Sequence, residues 1–412
     1  MRKKAFPFTI ILLLQSIIKV IFIIERTAMN SAYCLHNATV LTGLSVMKNC
    51  AVYIKNDKIA DIYSEERFHK KKFGPKVKII DMEGAYVLPG FIDTHIHGIG
   101  GYGADDGDYK SILAMSEVLA KYGVTSFIPT CCTCPEEELI KKIKAIVKAM
   151  GKEKGAKILG IHLEGPFLSP ERIGAQAQNG IYSVDIDLMD RLWKASKKHI
   201  INMTVAPELK NMREMAHYCI KKGIILQAGH TNATYDQMIE GMQANIMHVT
   251  HLFDAMRPLH HREPGVVGAT LIHPELSCEI IGDGVHVNPN LISLLLKSKP
   301  LSQIVLITDA LPPAKTELPP DSDLYLDKVF YRKKDNVING SAISMLDGVK
   351  NLVSYGIPIE KVIRMACTNP AQIMKQPNIG MIFAGKQADV IVLDKDLNLK
   401  YTFINGKQIK EK

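Results

Sequence analysis

Short apolar runs recur along the middle of the chain, and each of several stops at a polar residue able to do chemistry. The run Gly90-Phe91-Ile92-Asp93-Thr94-His95-Ile96-His97 ends in two histidines one residue apart. Residues two apart on a strand share a face, so His95 and His97 can grip one ion together. Further runs at 158–163, 224–228, 246–250 and 304–308 lead to Glu164, His230, His251 and Asp309. Helical periodicity fills the gaps at 110–122, 136–150, 183–199, 209–222, 235–243, 289–298, 347–355 and 358–368. Strand and helix in alternation, with reactive residues at the strand tips, predict a (β/α)8 barrel over 89–376 with its site at the mouth.

The two ends of the chain have a different texture. Short β-like runs at 38–42, 50–55, 59–63 and 77–81 are broken by turn signals such as Asn56-Asp57, and the same texture returns at 385–394 and 401–409. Neither end is long enough for a stable sheet alone, so 30–88 and 377–412 are expected to combine into one small β-sandwich domain beside the barrel. The stretch 311–323 contains Pro312, Pro313, Pro319 and Pro320 and reads as a loop placed to cover the mouth.

Composition changes this picture at one end only. The chain has 412 residues, a hydrophobic content of 47% and a formal charge of +9. Between Arg2 and Arg26 lie five basic residues and one Glu, which leaves a mild excess elsewhere. Nothing in its arginine and aromatic pattern speaks for nucleic acid. The segment 1–28 reads as a signal peptide, a membrane anchor or a translation start assigned too far upstream of Met29. The third reading is preferred, because eight scattered cysteines suit a reducing, cytoplasmic setting and not a disulfide framework. Membrane contact is expected only if that segment is real and retained. Cys131, Cys132 and Cys134 lack a second cysteine pair and read as small buried or loop thiols.

Candidate chemistry follows from the strand tips. His36, His69, His162, His199, His217, His248 and His273 lie within elements or loops and read as surface or core groups, whereas His95, His97, His230 and His251 all terminate strands. Glu164, between a buried strand and Gly165-Pro166, is turned toward the mouth. Such imidazole and carboxylate donors suit Zn, Fe, Mn or Co, and the pattern does not choose among them. An ion held there would acidify water near neutral pH, and Asp309 is placed to shuttle its proton.

The run from Gly90 to His97, the order of the ligand candidates and Gly385-Lys386-Gln387-Ala388-Asp389 resemble the amidohydrolase superfamily. More narrowly, His162-Leu163-Glu164-Gly165-Pro166-Phe167, Ala228-Gly229-His230-Thr231-Asn232-Ala233, Thr250-His251-Leu252-Phe253-Asp254-Ala255-Met256, Arg262-Glu263-Pro264-Gly265 and Asp283-Gly284-Val285-His286 resemble the N-acetylglucosamine-6-phosphate deacetylase family. The resemblance covers nearly everything from residue 32 onward. It implies a metal at Glu164, His230 and His251, and Asp309 as catalytic acid–base. His95 and His97, which some members lack, suggest a second ion bridged by Glu164, so one or two divalent ions are expected per subunit. Implied substrate contacts are Ala175, Gln176, Asp254, Ala255, His286, Ile338, Asn339 and Gly340. Arg262 would reach the sugar phosphate from the partner subunit of a homodimer. Asp254 stands where Asn is usual, and Gln176 where some members carry His. The implied reaction is deacetylation of N-acetylglucosamine 6-phosphate in amino-sugar catabolism. Alternatives are another N-acyl sugar phosphate such as the galactosamine epimer, a cyclic amide, or a non-catalytic barrel scaffold.

Overall fold

The computed structural model describes residues 32–409, so the expectations for 1–28 lie outside the described residues. Eight parallel strands form a nearly closed barrel: Phe91–Ile96, Val124–Cys131, Ile161–Glu164, Ile200–Val205, Ile225–Ala228, Ile246–Val249, Ser277–Ile281 and Ile304–Ile307. These strands are almost wholly buried and rich in Ile, Val and Leu, as expected where helices cover a parallel sheet. The ring closes just past its strands: Asp309 N–H donates to the His95 carbonyl at 3.0 Å and His97 N–H to the Ala310 carbonyl at 3.0 Å. The first and last candidate residues are thereby brought side by side, although more than 200 positions separate them.

Helices return the chain between strands, and their starts are written in local chemistry. Thr234 accepts from the Gln237 N–H, and the Gln237 side chain accepts in return from Thr234 N–H, opening the helix Tyr235–Gln243. Ser344 and Asp347 make the same reciprocal pair at Met345–Ser354. Periodicity placed Pro289–Ser298 and Tyr235–Gln243 at their observed bounds, but it did not pick out the strands Ile200–Val205 and Ser277–Ile281 or the helix Gly265–Ile272. That helix is apolar on every side of its buried length, so it has no amphipathic stripe to read.

A second, mixed sheet draws strands from both ends of the described chain. Its order runs Lys407–Gln408, Leu399–Ile404, Val390–Leu393, Tyr86–Pro89, Ala32–Leu41, Val46–Lys55 and Lys58–Ser64, and Val77–Asp81 also pairs with Ala32–Leu41. The two ends meet where Tyr86–Pro89 lies antiparallel to Val390–Leu393. Leu35, Val40, Val52, Ile54, Ile59, Val87, Val390 and Phe403 share a buried cluster there. The sheet is fastened to the barrel by the Gly90 N–H, which donates to the Asp389 carbonyl at 3.0 Å, and by Lys157, which pairs with the Asp389 carboxylate.

After the eighth barrel strand the chain turns through 311–323 and then makes a three-stranded antiparallel sheet, Leu324–Asp327, Val329–Arg332 and Ile338–Gly340. Leu311 at its start and Val337, Ile338 and Asn339 at its end reach the barrel mouth. The cover therefore includes a small sheet, which the proline-rich stretch did not reveal. No helix among the described residues is long and apolar enough to cross a membrane.

Candidate active site

The barrel mouth holds a cleft of about 320 Å³ lined by His97, Glu164, His230, His251, Asp309 and His286, among others. Glu164 ends the third strand and is its centre. Its Oε1 lies 3.0 Å from His230 Nε2, 3.0 Å from His251 Nε2 and 3.5 Å from His95 Nε2, while its Oε2 lies 3.2 Å from His97 Nε2. Asp309 Oδ1 approaches the other pair, 3.4 Å from His95 Nε2 and 3.2 Å from His97 Nε2.

His230, His251 and Asp309 all have left-handed backbone, with φ of 47°, 25° and 49°. Non-glycine residues seldom adopt that region, and each instance costs about 1–3 kcal/mol. The chain accepts this at the tips of the fifth, sixth and eighth strands, all of them bearing side chains that line one cleft.

Three groups of donors could each hold a cation: Glu164 with His230 and His251, His95 with His97 and Asp309, and His97 with Cys132 and Glu164. The fit to a cation rests on more than proximity. His95 Nε2, which faces Glu164 and Asp309, is a buried ring nitrogen without a hydrogen-bond partner, and such groups are normally satisfied. His230 Nδ1 faces the carbonyls of Arg172 and Ile173 at 3.3 and 3.0 Å. Carbonyls only accept, so His230 carries its proton on Nδ1 and keeps Nε2 free to ligate.

The charges respond to this crowding. Burial by itself lowers the His95 imidazole, but Glu164 and Asp309 outweigh it and push it up to about 10. Burial likewise opposes ionisation of Glu164, and His95, His230 and His251 overcome that and hold the carboxyl well below its usual range. Without a cation, protons take its place among these acids.

Around the centre, the substrate candidates are arranged unequally. Gly174, Ala175, Gln176, Asp254, Ala255, His286, Ile338 and Asn339 line the cleft. Gly340 lies just behind it, where an added Cβ would sit 2.9 Å from the Asp309 carbonyl oxygen. Gln176 donates from Nε2 to Glu164 Oε2 at 2.6 Å, and its Oε1 accepts from Thr133 N–H and Oγ1–H, both at 2.9 Å. Its side chain thus steadies Glu164 itself. His286 pairs with Asp283 at 2.5 Å, which outweighs the effect of burial and raises the imidazole to about 9. Asp254 has a buried, unpartnered Oδ2, and burial pushes its carboxyl up to about 7. Arg262 is exposed and absent from the cleft wall; its guanidinium donates to His261 Nε2 at 2.8 Å.

Two features escaped the sequence, the contacts of Cys132 and Glu279 with candidate ligands. Cys131 and Cys134 are buried thiols as expected, but Cys132 lines the cleft with Sγ 3.1 Å from His97 Nδ1. Burial lifts that thiol to about 12, so at neutral pH it meets His97 as a neutral group. His162 is a satisfied core group, as expected: it lies between Thr130 Oγ1 at 3.0 Å and Thr204 Oγ1 at 2.9 Å and packs edge-on against His95 with ring centres 4.6 Å apart. Glu279, on the seventh strand, reaches His95 Nδ1 at 3.1 Å. The only hint of it was an acid inside the apolar run Cys278-Glu279-Ile280-Ile281.

The model of the amidohydrolase family matches residues 86–409. The N-acetylglucosamine-6-phosphate deacetylase of Bacillus subtilis (strain 168) is 31% identical over 398 residues, covering 92% of this chain and 97% of the relative. Among solved structures, the deacetylase of that name from Pasteurella multocida is similar with a TM-score of 0.85 at 30% identity, over 92% of this chain and 100% of the other. A mutant of the Mycobacterium smegmatis enzyme, in complex with N-acetyl-D-glucosamine-6-phosphate, gives 0.84 at 27% identity, over 92% and 99%. A relative named N-acetylgalactosamine-6-phosphate deacetylase, from Escherichia coli O157:H7, is 30% identical over 343 residues, 80% of this chain and 89% of its own length. The likeness spans the barrel and the second sheet alike, and this chain belongs to the amidohydrolase family, among relatives named N-acetylglucosamine-6-phosphate deacetylase.

Proposed function

We propose that this chain hydrolyses the acetamide of N-acetylglucosamine 6-phosphate to glucosamine 6-phosphate and acetate, a step of amino-sugar catabolism. The observation that carries this reading is one carboxylate, Glu164, within 3.5 Å of four imidazoles at a barrel mouth. Glu164, His230 and His251 would hold one divalent ion, and His95 and His97 a second, with Glu164 shared between them. Zn, Fe, Mn and Co all suit these donors. When bound, a divalent cation supplies Lewis acidity and lowers the pKa of water.

The protein's own residues do the rest. Asp309 takes a proton from the attacking water and returns it to the leaving nitrogen, which cannot depart as an anion. Burial alone would keep its carboxyl protonated, but His95 and His97 hold it low, so it begins as a base. His286, kept cationic by Asp283, donates into the cleft toward the developing charge on the acetyl oxygen. Gln176 keeps Glu164 in place and retains one N–H for substrate. Ala175, Asp254, Ala255, Ile338, Asn339 and Gly340 shape the sugar subsite. Arg262 offers a forked guanidinium to the phosphate across a homodimer interface. Its exposure, away from its own subunit's cleft, agrees with that role.

The same reading divides the chain into a small β-sandwich, 30–88 with 377–412, and a barrel, 89–376. The sheet built from both ends supports this division. A cytoplasmic location fits eight cysteines that are free in the structure.

The relative named for the galactosamine epimer supports a second reading, the same chemistry on that sugar. Acetate release from the 6-phosphates of N-acetylglucosamine and N-acetylgalactosamine, and from unphosphorylated N-acetylglucosamine, separates the cases. The proposal expects the first to be cleaved fastest and the third to be poor. Preference for the second moves the assignment to the epimer, and no release from any of them removes the enzyme.

A further inference from the structure

We infer that Glu279 is the positioning residue that makes His95 a ligand, and so decides whether the second cation binds. The inference rests on the two-ion reading of the site. Glu279 is wholly buried on the seventh barrel strand, below the ring of candidate ligands. An isolated carboxylate at such a depth is costly, and this one is retained by contacts on both oxygens. Oε2 accepts from His95 Nδ1 at 3.1 Å and from the His251 backbone N–H at 3.3 Å. Oε1 lies 3.5 Å from Gln227 Nε2 and 3.6 Å from His248 Nε2.

A carboxylate in this position is an acceptor only, so the hydrogen between it and His95 belongs to Nδ1. The neutral ring is then forced to offer its lone pair at Nε2. That nitrogen is the one with no hydrogen-bond partner, facing Glu164 and Asp309. The partner of a ligating imidazole fixes both its tautomer and its orientation. Among the other three rings, Nδ1 meets carbonyls at His230, a thiol at 3.1 Å and the partly exposed Asp105 carboxylate at 3.7 Å at His97, and has no hydrogen-bond partner at His251. His95 alone among the four is held by a fully buried acid.

Glu279 also clamps the sixth strand tip. Its carboxylate takes the His251 N–H and its backbone carbonyl takes the Leu252 N–H at 2.9 Å, so the left-handed turn at His251 is held from the same residue. One side chain therefore links His95 of one donor group with His251 of another. The firmer dependence is that of His95, because its ring is contacted directly, whereas His251 is held through its backbone and keeps its own contact to Glu164 at 3.0 Å.

The test is equilibrium dialysis of the full chain against graded Zn²⁺, comparing wild type with Glu279→Gln. The amide can present N–H to Nδ1 and so permit the wrong tautomer while preserving size. The expected result is two equivalents in wild type, and in the variant an unchanged first equivalent with the second weakened roughly ten- to a hundredfold. A generally damaged fold would weaken both. Glu279→Asp, which keeps the charge but shortens its reach, is expected to lose the same equivalent and serves if the amide variant does not fold. Two equivalents bound with wild-type affinity in a folded variant overturn the role of Glu279 alone. A single equivalent in wild type overturns the two-ion reading and the inference with it.

Discussion

Glu164 Oε1 stands 3.0 Å from the Nε2 atoms of both His230 and His251, three residues delivered by the tips of three different strands. Such an arrangement of acceptor and ring nitrogens has a use if a cation sits among them. Glu164→Gln is expected to weaken metal binding by about a hundredfold or more, since even an outer-shell contact is worth ten- to a hundredfold. Metal analysis after dialysis checks it, and a variant that keeps wild-type metal content contradicts the assignment.

Asp309 approaches His95 and His97 but belongs to the last strand tip and faces the cleft. As the acid–base group it should contribute about 10²- to 10⁴-fold to turnover. Asp309→Asn is therefore expected to lower kcat by that factor while the ion at Glu164, His230 and His251 stays bound. Measured kcat near that of wild type would remove Asp309 from the reaction.

The protein freed of metal should show an unusual pH dependence. Burial lowers His95, but Glu164 and Asp309 prevail and place it at about 10, against 6.5 for the ordinary imidazole. A raised pKa of this sign stabilises the fold fully below about pH 6.5, and the contribution fades as pH rises toward about 10. Chelated protein is thus expected to lose thermal stability between pH 7 and 10, and metal-loaded protein to lose less, because the cation replaces the proton. A thermal midpoint for the chelated form that is flat across this range would speak against the charge balance described.

Asp254 should set the pH range of phosphate binding. Burial lifts it to about 7, so it is largely neutral in mild acid and charged in mild base. We place the sugar phosphate beside Asp254, so KM for the phosphorylated sugar is expected to rise as pH goes from 6 to 8. Asp254→Asn removes that rise and leaves kcat nearly unchanged. An identical KM profile in the variant would place the phosphate elsewhere.

Arg262 gives a prediction about assembly. Mixing Arg262→Ala with Asp309→Asn subunits allows one intact site per mixed dimer if the arginine crosses the interface. Random pairing of two inactive parents is then expected to restore about a quarter of wild-type activity, as two-fold symmetry requires. No recovery on mixing would assign Arg262 to its own subunit or to neither.

Much of this site was legible because a barrel repeats one instruction. Glu164, His230, His251 and Asp309 each follow an apolar run, and their shared position mattered more than any one residue type. The spacing of His95 and His97 was readable for the same reason, since a strand has a period of two. What stayed hidden has a common physical cause. Glu279 and Cys132 act through partners on other strands, and a single acid inside an apolar stretch looks the same whether it is satisfied by a core amide or set against a ligand ring. The small sheet after Leu311 was obscured by its short strands and by the proline-rich stretch that precedes it. Both ends were expected to combine into a small β-sandwich, because neither is long enough for a stable sheet alone; what the structure has is one mixed sheet that takes strands from both.

The most direct test is an anomalous-scattering measurement on crystals of the metal-loaded protein. The account predicts a peak about 2.0–2.2 Å from Glu164 and from a ring nitrogen of each of His230 and His251. A strong peak bound elsewhere, or none at this position in protein that releases acetate, would contradict it.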